Sequence, residues 1–150
     1  MNRLDIELTY EWQPVYVREK MEYFFPDVIT PFMRTKYREP AVYKWEVSQT
    51  RPDEPKIIYI GEGQEFCPQR LYGYLNPGAT QMNNKRVNTD FRGYLKEKRK
   101  ISISICNVTR IMIGSYEMNE KGLQEKNVRQ LIVEAMIFEH RKKGFTVLLA

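Results

Sequence analysis

The sequence predicts a small α+β domain, a mainly antiparallel β-sheet flanked by helices. Three observations carry that expectation. "ISISI" (101–105) alternates strictly between apolar and polar residues, the period of a half-buried strand. "AVYKWEVS" (41–48) and "KIIYIG" (56–61) are rich in β-branched and aromatic residues, and the turn signal "RPDEP" (51–55) between them predicts an antiparallel hairpin. From Leu123 to Lys143, ended by Gly144, the residues Val128, Leu131, Ile132, Ala135 and Phe138 give a helix with an apolar stripe.

The other elements follow in chain order. "LDIELTYEW" (4–12) alternates and predicts a strand, after which Pro14, Pro26, Pro31 and Pro40 interrupt any regular pattern. Gly61 and Gly63 let the chain leave the hairpin with unusual backbone angles and clear side-chain bulk beside Tyr59. Pro68 suits the first turn of a helix that continues through Arg70, Leu71, Tyr74 and Leu75 to the breaker "NPG" at 76–78. Asn84 to Arg99 predicts a second helix. "TRIMIG" (109–114) is a continuation of the strand at 101–105, and "FTVLL" (145–149) is a closing strand.

A chain of 150 residues fits one domain, and no repeat or linker divides it. Cys67 and Cys106 are too few for a disulfide framework and lack nearby metal-ligand partners, so both are read as reduced thiols of an intracellular, cytoplasmic protein. The opening "MNRLDIELTYEW" has no signal-peptide pattern, and "LIVEAMIF" (131–138) is too short to cross a bilayer, so no membrane role is expected.

The formal charge of +5 permits a polyanionic partner. Between Lys85 and Lys100 the cations Lys85, Arg86, Arg92, Lys96, Lys98, Arg99 and Lys100 face only Asp90 and Glu97, with Phe91 and Tyr94 interleaved. Two readings stay open for this segment: a solvated helix face, or a surface for phosphates.

Arg70 and Tyr74, one helical turn apart, present a guanidinium fork and a phenol on one side, a pair suited to a phosphodiester. Tyr43 and Tyr59 lie on neighbouring strands of the predicted hairpin and could aim two hydroxyls at one spot; strand tyrosines more commonly pack their rings and leave the hydroxyl at the rim. Glu134 interrupts an apolar run in line with Asn127, Gln130 and Arg141, either as part of a polar stripe or, if covered, as a carboxylate needing a cation such as Mg²⁺. His140 is the single histidine, which leaves no Ser/His/Asp triad or histidine-rich zinc cluster, and its place near a helix C-terminus suggests the surface. No P-loop and no GxGxxG occurs.

"AVYKWEV", "IIYIGEG", "CPQRLYGYL" and "RQLIVEAMI", in that order, resemble the GIY-YIG endonucleases. Ala41-Val42-Tyr43 stands where the family has GIY, and Tyr59-Ile60-Gly61 matches YIG. Arg70 follows Tyr59 by eleven positions, and Tyr74 stands where members commonly carry histidine or tyrosine. Glu134 is similar to the glutamate with which the family holds its metal, and "YLNPGATQMNNKRVN" (74–88) looks like a branch with an Asn-Pro-Gly turn before a polar, arginine-containing helix. The resemblance covers about residues 41–149. It departs at Ala41, at the longer hairpin, and at the asparagine expected after the last helix, for which Leu148-Leu149-Ala150 has no counterpart.

The resemblance implies a nuclease domain over 41–150, with residues 1–40 an added N-terminal arm packed on the sheet or reaching toward the substrate. It implies hydrolysis of DNA phosphodiesters by a compact, restriction-like or repair-type enzyme, and a homodimer if both strands of a symmetric site are cut. Glu134 would hold Mg²⁺ or Mn²⁺, Arg70 would neutralise charge on the phosphorane, and Tyr43 would orient or deprotonate the attacking water with Tyr59 and Tyr74 assisting. A phenol titrates near pH 10, so Lys44 joins the candidates as a cation that could favour the Tyr43 phenolate. Lys85, Arg86, Arg92, Lys96 and Arg99 would meet the DNA backbone. The alternative is a binding module that keeps the scaffold without catalysis. All of this requires Arg70 and Glu134 to share one cleft beside the hairpin.

Overall fold

The computed structural model describes residues 1–150, the side chain of Glu120 excepted. Its strands are β1 (Ile6–Pro14), β2 (Tyr16–Arg18), β3 (Met21–Glu22), β4 (Ala41–Val47), β5 (Ile57–Gly63), β6 (Ile101–Ile113), β7 (Tyr116–Met118) and β8 (Thr146–Leu149). Its helices are α1 (Pro31–Lys36), α2 (Leu71–Leu75), α3 (Met82–Lys96) and α4 (Lys126–Lys142), with a wide turn at Phe66–Arg70 and a 3-10 turn at Glu120–Gln124. The main sheet runs β1-β6-β4-β5-β8 with β7 added to β6, and β2 and β3 pair separately. The expected α+β class is present. Every main-sheet pair is antiparallel except β5 with β8, which run parallel because α4 carries the chain across the sheet before β8.

The hairpin forms in the register its alternation requires: Tyr43 lies opposite Gly61 and Trp45 opposite Tyr59. Tyr43, Trp45, Val47 and Tyr59 therefore share one face of the sheet, packed with the arm, α2 and α3, while Val42, Ile58, Ile60 and Cys106 share the other, under α4. On the first face the Trp45 ring has Phe91 of α3 at 5.1 Å, Tyr74 of α2 at 5.7 Å and Phe25 of the arm at 6.0 Å. One indole thus ties three segments together, at aromatic separations that add to the burial itself.

The arm is part of the sheet. β1 pairs along its whole length with β6, from Ile6 opposite Ile113 to Pro14 opposite Ser104, with a register shift at Thr9/Tyr10. Because β1 carries the pairing beyond β4, β6 runs unbroken through the three residues that separate the two predicted strand pieces. Thr30 caps α1, accepting from the Met33 N–H, with Pro31 in its first turn.

Three expectations need correction. α3 stops at Lys96 rather than Arg99, because Lys98 takes a left-handed φ of 61° and the Arg99 N–H turns back to the Tyr94 carbonyl. Gly61 and Gly63 do not have left-handed angles; only Gly114 and Gly144 do among the described glycines. The buried stripe of α4 is Val128, Arg129, Ile132, Val133, Met136, Ile137 and His140, so Phe138 points outward at 69% exposure. A nearly continuous apolar run leaves helical phase ambiguous, and the sheet selects the face.

Candidate active site

The end of β5 is shaped by two missing side chains. A Cβ on Gly61 would lie 2.8 Å from the Tyr43 hydroxyl, and one on Gly63 would lie 3.1 Å from Cγ of Arg70. Gly61 thus admits the phenol and Gly63 the arginine stem, which is why glycine suits both positions although the backbone there is ordinary.

Arg70 closes the wide turn between β5 and α2. Its Nε donates to the Tyr43 hydroxyl at 2.8 Å, one terminal nitrogen to Asn84 Oδ1 at 3.3 Å, and the other to the Ala150 carbonyl at 3.3 Å. The guanidinium also lies over the Tyr74 ring, 4.9 Å from its centroid. Tyr43 and Tyr74 hydrogen-bond to each other through their hydroxyls, and both residues are fully buried. Burial raises the Tyr43 pKa above its ordinary value, Arg70 and the Tyr74 hydroxyl opposing that rise. Tyr74 is also pushed well above its ordinary value, again by burial first.

An open cleft of about 650 Å³ lies beside this cluster. Arg70, Gly61, Glu62 and Asn83 line it together with Asn127, Gln130 and Glu134 of α4, and all three α4 residues are exposed. Arg70 and Glu134, distant in the chain, therefore meet at one cavity. Among the described residues no three His, Cys, Asp or Glu side chains converge as a metal cage.

Two predicted site residues point elsewhere. The Tyr59 hydroxyl donates to Asp90 of α3 at 2.8 Å and contacts the Tyr94 hydroxyl at 3.1 Å, and burial together with these two partners raises its pKa far above the ordinary value. Tyr43 and Tyr59 share a face but not a spot, because the register sets Tyr59 beside Trp45 rather than beside Tyr43. Lys44, adjacent to Tyr43, must project from the opposite face. Its Nζ lies 4.4 Å from the Trp12 ring centroid and 3.2 Å from His140 Nε2.

His140 is buried rather than at the surface, since Trp12, Lys44 and Phe145 cover the end of α4. Its Nδ1 faces the Met136 carbonyl at 2.7 Å, which places the proton there and leaves Nε2 to accept from Lys44. Burial lowers the His140 pKa, Lys44 and Lys143 add to that, and the Met136 carbonyl and Glu46 oppose it. The folded chain then binds fewer protons at this imidazole than the unfolded chain does, so stability is lost as pH falls below the ordinary value of about 6.5. Denaturation midpoints between pH 7.5 and 5 should drop more steeply for the wild type than for His140→Gln; equal slopes would remove this role from the chain's one histidine.

The basic residues of the 83–100 segment divide. Lys85, Arg92 and Lys96 recur at helical spacing along the exposed side of α3. Arg86 donates to the Leu149 carbonyl and to Asn83 Oδ1, both at 2.7 Å. Arg99 is not free for phosphate: it pairs with Glu54 at 2.9 Å and is 12% exposed, pinning the β4–β5 connection.

Arg129 carries no signal in the sequence beyond standing one turn before an apolar run on its buried stripe. At 3% exposure it reaches Glu62 at 2.6 Å, Gln64 Oε1 at 2.9 Å and the carbonyls of Leu123 and Gln124 at 2.9 and 3.0 Å. It joins the end of β5 to the start of α4 beside the cleft, and these partners, the Glu62 carboxylate first among them, offset the cost of burying its charge.

Comparison with known proteins finds no matching family model, no matching curated protein and no matching solved structure. Among the described residues no helix is long and apolar enough to cross a membrane.

Proposed function

We propose that this chain is a divalent-metal-dependent endonuclease that hydrolyses DNA phosphodiester bonds, as its resemblance to the GIY-YIG enzymes implies. The observation that carries the proposal is the meeting of Arg70 and Glu134 at one open cleft, with the Tyr43 hydroxyl bonded to the arginine.

A hard cation fits this cleft. Mg²⁺ takes few protein ligands, commonly one or two carboxylates with water and substrate oxygens completing the shell, and Glu134 stands in line with the amides of Asn127 and Gln130. Glu134 would hold Mg²⁺ or Mn²⁺, which when bound supplies Lewis-acid polarisation of a phosphate oxygen.

The chain's own groups do the rest. Three of the five N–H donors of Arg70 are committed to Tyr43, Asn84 and Ala150, which fixes the plane of the guanidinium and leaves two donors for a phosphate. A fixed cation aimed where negative charge grows needs no reorganisation in the transition state. The buried Tyr43 hydroxyl favours a role exerted through Arg70: it stays protonated near neutral pH and steadies the guanidinium. The exposed stripe of Lys85, Arg92 and Lys96 would lie along the DNA backbone. Three neutralised phosphates give a slope of about −2.7 in log affinity against log salt. A flat dependence would remove the stripe from the interface.

The enclosure of both phenols and the Ala150 carbonyl on Arg70 favour a second reading, a DNA-binding module without catalysis. Nicking of supercoiled plasmid under Mg²⁺ or Mn²⁺ titration separates the two. Metal-dependent nicking is expected; binding without nicking at any metal concentration would leave the module.

A further inference from the structure

We infer that Asn84, oriented by Gln81, is the positioning residue that sets the Arg70 guanidinium over the cleft, an inference that rests on the proposed role of that cleft. Asn84 lies in the first turn of α3 at 6% exposure, where an apolar side chain would avoid the cost of burying an amide. Its Oδ1 accepts from Arg70 at 3.3 Å, and its Nδ2 donates to Gln81 Oε1 at 3.2 Å.

The direction of these bonds is determined. The Gly78 backbone N–H, which can only donate, reaches the side-chain oxygen of Gln81 at 2.9 Å. That oxygen therefore also faces Asn84, and only the NH₂ end of Asn84 can answer it. The oxygen end of Asn84 is left toward Arg70, which has donors alone.

Space for the amide is made by a glycine: a Cβ on Gly73 would stand 2.8 Å from Asn84 Nδ2. One turn further along α3, Asn88 donates to the Tyr74 carbonyl at 2.7 Å and fastens α3 to α2. Gly73, the Asn-Pro-Gly turn at 76–78, Gln81 and Asn84 thus form one directed relay that ends on Arg70. An amide suits its end better than a carboxylate, because it accepts the N–H without neutralising the charge a phosphate would meet.

The test uses the full chain and two readouts. The first is the Nε–H resonance of Arg70, assigned by its loss in Arg70→Lys, which reports the placement of the guanidinium whether or not DNA is cut. The second is kcat and KM for plasmid nicking. Gln81 is exposed, so its variants leave the core intact. Gln81→Glu keeps the accepting oxygen and should hold the resonance and keep kcat within about threefold of wild type. Gln81→Leu and Asn84→Leu should broaden the resonance and lower kcat at least about tenfold with KM unchanged. Asn84→Asp loses the bond to Gln81 but pairs ionically with Arg70, so the resonance should stay sharp while the neutralised charge lowers kcat by a similar factor, a split that a merely structural residue would not give. An unchanged resonance in both leucine variants, or full kcat in Asn84→Asp, overturns the inference. Should the wild type fail to nick, the proposed function falls, and the resonance alone still decides whether Asn84 places Arg70.

Discussion

Arg70→Ala is expected to lower DNA cleavage at least about a hundredfold while DNA affinity changes little. The guanidinium is a cation lining the cleft, and its position is fixed from several sides: Tyr43 at Nε, Asn84 and Ala150 at the terminal nitrogens, and Gly63 beneath its stem. Removing a preorganised charge of this kind costs on the order of 3 to 4 kcal/mol in the transition state. On the proposed reading affinity would rest on the exposed cations of α3, which the substitution does not touch. Arg70→Lys should recover little, since a single ammonium cannot bond Tyr43 and Asn84 and still meet a phosphate. Cleavage within about threefold of wild type in Arg70→Ala would take the guanidinium out of the reaction.

Glu134→Gln should lose cleavage to a similar degree, at least about a hundredfold, and should not regain it with excess Mn²⁺. The substitution keeps shape and hydrogen bonding but removes the charge that would hold a cation. Because Glu134 is exposed and makes no ion pair among the described residues, stability should stay within about 0.5 kcal/mol of wild type, so lost activity cannot be ascribed to unfolding. Full activity in this variant would leave the cleft without a metal-holding carboxylate.

The hairpin, the strand at 101–105 and the late helix were legible because period-2 and period-3.6 patterns fix which residues face inward. The line Asn127, Gln130, Glu134 was legible for the same reason: a polar stripe on an amphipathic helix that borders a cleft. Hydroxyl direction was not. Tyr59 turns to Asp90, and nothing within "KIIYIG" specifies a partner on α3. His140 looked like a surface residue because its covers, Trp12 and Lys44, come from strands about a hundred residues earlier. Arg99 and Arg129 belong to charged side chains whose burial depends on distant partners, Glu54 for one and Glu62 for the other. The first forty residues carry no local signal of β1's long pairing, since β6 follows by about ninety residues. What a side chain touches across the sheet is a tertiary fact, and local periodicity encodes only the face.

The central claim is that Arg70 and Glu134 act as one unit on a single phosphodiester, and a double-mutant cycle of single-turnover nicking rates tests it most directly. With Arg70→Ala, Glu134→Ala and their combination under saturating Mn²⁺, the double variant should cut about as slowly as the slower single variant, because groups that stabilise one transition state together lose it together. Penalties that multiply in full, or cleavage retained in both single variants, would contradict a shared site.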